Sequence, residues 1–490
     1  MVLLSVLRYM ARGEGFLALR TTSPLMFIAR PFLAAPLCAW LALSSPEAGA
    51  QPPEAGKASP VPAQEPEPGA RPLEEATGEP LTLERAVGLA AERNETAQAA
   101  QRRAEAAEAR VDRARAFFFP ELTLSSTYTR RLRESVRDVG NGQTVVIQRR
   151  NALAATAAAQ ATVFDARGFP LYRAAKLAGQ AAELDAREAR RQVAFEAANA
   201  FLSTLSAQQV YEAARRRIEF ARQSLEDAKA RAGAGLASTN DVTRAELELS
   251  TAEVQLASAR GSADTSRIEL GYLLVSPVQG PLTSPEPILA EAARPPAQFN
   301  SLGEGAEGRR LDVLSAQLKV QAQQSTAQEP LARLFPSLGL SGQYRLTNEA
   351  GLAGHAGDGF LALNLTWNVF DGGERYAEHH EQVALAQALE LEATALTRRV
   401  SVDIQRAQVE LINAQAALRQ SELAAAQARR NAEETGILYR QGLSTALAVA
   451  DASLSMFQAE VDLARARFTL GLALLDLRAA VGLDPLGKEP

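Results

Sequence analysis

Residues 117–128 read FFFPELTLSSTY, and residues 333–344 read RLFPSLGLSGQY. Six of the twelve aligned positions are identical, among them Phe119 and Phe335, Pro120 and Pro336, and Tyr128 and Tyr344. Each copy follows an alanine-rich, charged stretch, and each changes at its proline to alternating apolar and polar residues. Leu122, Leu124 and Tyr128 fall on one side, with Thr123, Ser125 and Thr127 on the other; Leu338, Leu340 and Tyr344 likewise oppose Gly339, Ser341 and Gln343. A period of two is the pattern of a strand. Proline cannot donate to a helix ladder and pushes the residue before it to extended geometry. Pro120 and Pro336 are therefore expected to be helix-to-strand junctions.

The similarity extends outward as an internal repeat. Residues 93–128 align without gaps on residues 309–344. VFD at 163–165 recurs at 369–371, and GLASTNDVTRAEL at 235–247 corresponds to GLSTALAVADASL at 442–454. Each half is expected to run helix (82–117, then 302–334), strand, polar loop, returning strand, long helix (169–232, then 374–440), turn, and return helix ending near Val275 and Val481. The returning strands are expected at 153–163 and 361–369. In the second of these, Leu361, Leu363, Leu365, Trp367 and Val369 alternate with polar or small residues. At 1.5 Å per residue the long helices reach about 95–100 Å. They are too long and too alanine-rich to stand alone, so they must pack lengthwise as coiled coils. The domain reading is a first repeat at 81–275, a Pro/Ser/Gly-rich linker at 276–301, a second repeat at 302–483 and a short tail at 484–490.

The N-terminus has the form of an export signal: Arg30, an apolar run from Pro31 to Leu43, and Ala48-Gly49-Ala50 as a cleavage site. This places a signal peptide at 1–50, with Met26 as a possible true start. Cys38, the only cysteine, lies inside it, so the exported chain is expected to have no thiol and no disulfide. Residues 51–80 hold eight prolines and six glutamates and read as a disordered tether. The net charge of −5 over 490 residues, with no basic tract of the kind that grips nucleic acid, argues against a nucleic-acid partner.

Four alternating strands of roughly 9–13 residues fit tilted membrane strands, with Tyr128, Tyr344, Trp367, Phe164 and Phe370 near their ends as an interfacial girdle. The competing reading is a soluble four-stranded sheet packed on helices. A membrane sheet with open edges leaves backbone groups unpaired, so that reading requires oligomerisation.

At this point the sequence resembles the TolC family of outer-membrane efflux proteins, over nearly the whole chain from Leu81 to Leu483. The resemblance rests on LTLERAVGLAAERN, RRAEAAEARVDRARA leading into FFFPELTLSSTY, GLASTNDV, RRLDVLSAQ, LFPSLGLSGQY and WNVFDGG, in that order. It implies an α+β membrane protein: a homotrimer with a 12-stranded transmembrane β-barrel, four strands per protomer, continuous with a long-helix α-barrel in the periplasm. It implies a passive exit duct of a tripartite efflux or type I secretion system. The partners would be a periplasmic adaptor, an inner-membrane RND or ABC transporter, and outer-membrane lipid. The alternative is a periplasmic coiled-coil scaffold without a pore. The chain departs from the family at Glu95 and Leu311, where proline is usual, at Ala448, where an acid is frequent, and at Ser444, where some members carry arginine.

No catalytic constellation, cofactor loop or metal site is apparent, so an enzyme is not expected. His379 and His380 are adjacent and read as solvated, and the many carboxylates read as exposed salt-bridged faces. Gly235, Leu236, Ser238 and Thr239, with Gly442, Leu443, Ser444 and Thr445, are expected to stop and recap helices. By resemblance they form the tip that docks the adaptor. Also by resemblance, Asp451 projects into the gate, where three copies would make a ring favouring cations. Tyr439 and Asp241 would hydrogen-bond between neighbouring hairpins and hold the entrance shut.

Overall fold

A computed structural model describes residues 79–138, 140, 144–349 and 355–489. The signal peptide, Met26, Cys38 and all but the last two residues of the expected tether lie outside the described residues.

Helix α1 (Leu83–Arg93) starts where Thr82 accepts a hydrogen bond from the Arg85 amide at 3.3 Å. The sequence predicted one helix over 82–117, but Asn94 breaks it. Its backbone is extended, its Oδ1 accepts from Thr96 N at 2.9 Å, and its Nδ2 donates to Leu273 O at 3.3 Å. Helix α2 (Glu95–Ala116) then begins afresh. A similar break occurs at Arg310. Residues 302–334 form the end of a 3-10 turn (Pro296–Gly303), α6 (Ala306–Arg309), α7 (Leu311–Ala327) and α8 (Glu329–Ala332), not one helix. Glu95 and Leu311 are thus first helical positions, where proline is favoured for its fixed φ. Asn94 supplies the cap that makes proline dispensable at the first of them.

At the junctions, α2 ends at Ala116 with Phe117 as its C-cap, and strand β1 (Glu121–Arg130) starts immediately after Pro120; β5 (Ser337–Thr347) starts immediately after Pro336. Phe117 and Phe118 meet edge to face at 5.5 Å, and Phe118 lies 5.6 Å from Phe169. Gly168 makes room for this cluster, since a Cβ there would lie 2.7 Å from Phe118 Cζ.

With β4 (Asn151–Phe164) and β6 (Gly357–Thr366), these strands form one antiparallel sheet in the order β1-β4-β5-β6. The last strand starts and ends earlier than predicted. It ends at Thr366, so Trp367 and Val369 lie beyond it, and the Trp367 indole donates to Leu334 O at 3.1 Å. The first loop, read as irregular, contains a second hairpin of β2 (Ser135–Asp138) and β3 (Thr144–Gln148).

Helices α3 (Gly168–Gly233) and α9 (Glu374–Arg440) have 66 and 67 residues, and fold back into α4 (Thr239–Leu273) and α10 (Ala446–Ala480). Their buried residues recur at sevens: Ala245, Ala252 and Ala259 on α4, and Ala425, Ala432 and Tyr439 on α9. That spacing produces a left-handed coiled coil, and alanine lets the helices approach closely.

The main core gathers Phe201, Leu270, Leu411, Phe468 and Leu474 from the four long helices. Residues 276–301 clasp this core and are not an open linker. Leu282 bridges Leu81, α5 (Glu286–Ala292) buries Ile288 and Leu289, and Gln415 donates to Ala292 O and Arg294 O at 2.7 and 2.8 Å.

Candidate functional site

Two regions bear on function: the sheet and the two helical turns. In the sheet, directly opposed residues share a face. One row runs Leu122–Ala159–Gly342–Leu361 and the next runs Leu124–Ala157–Tyr344–Gly359. Leu363 pairs with Leu340 and Leu365 with Leu338 on the same side. The other side carries Thr123–Ala158–Gln343–Phe360 and Ser125–Thr156–Arg345–Asp358. The outer strands supply leucine to the apolar face, and alanine and glycine fill much of its middle. Tyr344 covers Gly359, whose added Cβ would lie 2.8 Å from Tyr344 Cδ2. Leu124 is 85% exposed and Leu361 76%, so no other described part of the chain covers this face. Strands β1 and β6 each pair on one side only.

The turns have closely similar structures. Gly235 and Gly442 adopt φ of +71° and +82°, the left-handed conformation that ends helices and favours glycine. Leu236 N donates to Arg231 O at 2.8 Å, and Leu443 N to Leu438 O at 2.9 Å, closing matching Schellman motifs. Ser238 and Thr445 then cap the return helices, and Thr239 opens α4. The apolar tips Leu236 and Leu443 are exposed, while Ser444 is half-buried.

The expected gate residues are placed differently from one another. Asp241 completes a capping box, its carboxylate accepting from Ser238 N at 3.2 Å. Tyr439 is buried, with the Arg231 guanidinium 4.8 Å above its ring and donating to its backbone carbonyl. Tyr439 and Asp241 are not hydrogen-bonded to each other within the chain. The Tyr439 hydroxyl and Ser453 Oγ are both buried without a partner among the described residues. Tyr439 and Ser453 line a cavity of about 20 Å³, room for about one water. Burial, reinforced by the Asp241 charge, pushes the Tyr439 phenol above its ordinary range. Asp451 lies exposed early in α10 and makes no ion pair among the described residues.

Sequence reasoning missed Arg231, although a basic residue in a last helical turn complements the helix dipole. It also misplaced some charges. Glu460 is buried and accepts from Arg216 at 3.1 Å and Arg429 at 2.9 Å, joining α3, α9 and α10. Arg217, 1% exposed, donates to Glu248 at 2.7 Å and lies over the Phe457 ring. His379 is half-buried and donates from Nδ1 to Ala327 O at 2.6 Å; of this adjacent pair His380 alone is exposed. No group of three or more His, Cys, Asp or Glu is placed to hold a metal among the described residues.

Comparison with known proteins bears on both regions. The family described as outer membrane efflux protein matches residues 86–274 and 302–483. The chain is 26% identical over 321 residues to the pyoverdine export outer membrane protein OpmQ of Pseudomonas aeruginosa, covering 64% of each chain. It is 29% identical over 340 residues to protein CyaE of Bordetella pertussis, covering 67% of this chain and 70% of that one. Its fold is similar to that of the outer membrane protein VceC from Vibrio cholerae, with a TM-score of 0.66 and 19% identity, over 82% of this chain and 96% of the other. The open-state MtrE channel of Neisseria gonorrhoeae gives a TM-score of 0.66 at 18% identity, over 83% and 90%. The family match takes in the sheet, both turns and all four long helices, and the chain belongs to the outer membrane efflux protein family.

Proposed function

We propose that three copies of this chain form a passive exit duct across the outer membrane. Each gives four strands to a 12-stranded barrel, and the long helices continue from its rim as a periplasmic tunnel. The sheet carries this reading: it has a fully uncovered apolar face and two unpaired edges on only four strands. In lipid each unpaired backbone group costs several kcal/mol, and closed barrels start at about eight strands. Four strands therefore reach closure only with further copies. A second uncovered stripe supports side-by-side packing of the helices. Leu247, Val254 and Ile268 on α4, and Val402, Val409 and Leu423 on α9, are exposed at sevens or multiples of seven. A pore-free scaffold is not favoured, because it leaves the apolar face in water.

The duct is opened at its tip by a periplasmic adaptor acting with an inner-membrane RND or ABC pump, and the pump selects the cargo. Two glycine turns of matching geometry, each presenting one exposed leucine, suit an apolar helical hairpin, because glycine permits close backbone approach. Asp451 forms the charged ring of the gate. Tyr439 and Asp241 form the latch between neighbouring hairpins; within one chain Asp241 is engaged by its own helix cap. The test is planar-bilayer recording of the purified protein. A duct gives discrete cation-preferring conductance steps; insertion without any conductance steps overturns this reading.

A further inference from the structure

The loop after β1 is a strongly charged surface that the duct reading leaves unused. Between residues 130 and 150 there are six arginines against Glu134 and Asp138. The corresponding loop of the second half, residues 348–358, has no lysine or arginine and carries Glu349 and Asp358. Glu349 turns back to the first loop, pairing with Arg131 and accepting from Arg149 N at 2.8 Å. That contact fixes the base of the first loop and neutralises one arginine. The side chains of Arg130, Arg133, Arg137, Arg149 and Arg150 are exposed and make no ion pair among the described residues.

The position of these arginines is as informative as their charge. By strand alternation Arg130 shares the face of Leu122, Leu124 and Tyr128, two residues beyond Tyr128, whose hydroxyl donates to Asn151 Oδ1 at 3.0 Å. On the β2–β3 hairpin, Val136 pairs with Val146, and both are exposed, as is Leu132 at 96%. A hairpin that leaves aliphatic side chains and uncompensated guanidinium groups together in water is poorly suited to bulk solvent. It fits a boundary that is apolar below and anionic above. Guanidinium binds phosphate oxygens through two parallel hydrogen bonds and is weakly hydrated, which favours this setting.

We propose that the β2–β3 hairpin and Arg130, Arg133 and Arg137 dock the phosphate groups of an anionic glycolipid in the outer leaflet. The dock fixes the height of the barrel in the membrane. It rests on the duct reading, because the loop must lie at the outer surface, at the end of the strands opposite the long helices.

The test uses the full exported chain, purified in detergent, with bisphosphorylated lipid A as the probe. The variant R130Q/R133Q/R137Q should bind it at least tenfold more weakly than wild type, and R130K/R133K/R137K, which keeps the charge but loses the two-pronged geometry, should recover only part of the affinity. Lipid A stripped of phosphate should bind wild type and the glutamine variant alike. Wild-type affinity in the glutamine variant overturns the dock, as does complete displacement of the lipid by millimolar inorganic phosphate, which would identify a free-anion site. A separate arm places Ser135→Cys in intact cells and applies a membrane-impermeant maleimide. Labelling, together with wild-type lipid binding by the glutamine variant, sinks the dock alone; no labelling overturns the dock together with the orientation assumed for the duct.

Discussion

Placing an arginine at Leu124 should destabilise the assembled barrel without disturbing the isolated chain. Leu124 is the fourth of ten residues in β1, a strand about 33 Å long at the usual rise per residue. Tilted by about 40°, it spans about 25 Å, the height of a membrane barrel's apolar band, and puts Leu124 close to the midplane. Because the side chain is 85% exposed, a longer one meets no steric barrier within the chain. The cost is therefore transfer of a guanidinium into lipid, about 2–4 kcal/mol at mid-depth, or about 6–12 kcal/mol for three copies. Thr123→Arg places the same group one residue away on the opposite face, in the row of Gln343, where water should solvate it. Its expected cost is under about 1 kcal/mol per copy. The assay is urea titration of the reconstituted oligomer, read as loss of the slow-migrating band on an unheated gel. Equal sensitivity of the two variants would refute the assignment of the leucine face to lipid.

Four further outcomes follow from the geometry. Arg217→Met should cost about 3–5 kcal/mol by stranding Glu248, and adding Glu248→Leu should recover most of it in thermal unfolding; additive losses would contradict a coupled pair. Burial pushes the Asp312 carboxyl up, but the Arg310 hydrogen bonds and charge pull it further down, to a net value below the ordinary carboxylate range. Its stabilisation is therefore complete above that range and lost as pH falls through the lowered value. Wild type should lose stability more steeply than Asp312→Asn below about pH 4, and identical acid-unfolding slopes by circular dichroism would rule the pair out. Asp451→Ala should raise conductance and blunt block by multivalent cations in planar bilayers; unchanged recordings would remove Asp451 from the constriction. Tyr439→Phe should increase the permeability of cells to large antibiotics, and wild-type sensitivity would dismiss the latch.

Much of the fold is local and could be read from the chain. Proline after phenylalanine marks each passage from helix to strand, and alternation at Leu122–Tyr128 and Leu338–Tyr344 marks the two faces. Glycine followed by a Ser/Thr cap marks each tip. What was missed depends on contacts distant in sequence. Asn94 breaks a helix partly through a bond to Leu273, and residues 276–301 are ordered by a core drawn from every long helix. Trp367 leaves the strand pattern because its indole is held by Leu334. The burial of Tyr439, Arg217 and Glu460 depends on how one hairpin lies against the other, which a heptad pattern alone does not specify. The β2–β3 hairpin had a legible signal in Thr144–Gln148, but its arginines and glycines favoured a loop reading.

The central claim is that the two free edges of the sheet, β1 and β6, meet between copies. The expected lack of cysteine after export makes this directly measurable by disulfide formation in the outer membrane. Ser125→Cys on β1 is combined in turn with Phe360→Cys, Ala362→Cys, Asn364→Cys or Thr366→Cys, all on the same face of β6. One register should oxidise to a covalently closed ring of three chains, with linear dimers only as intermediates. A product that stops at two chains, or no cross-link in any register, would contradict the trimeric barrel.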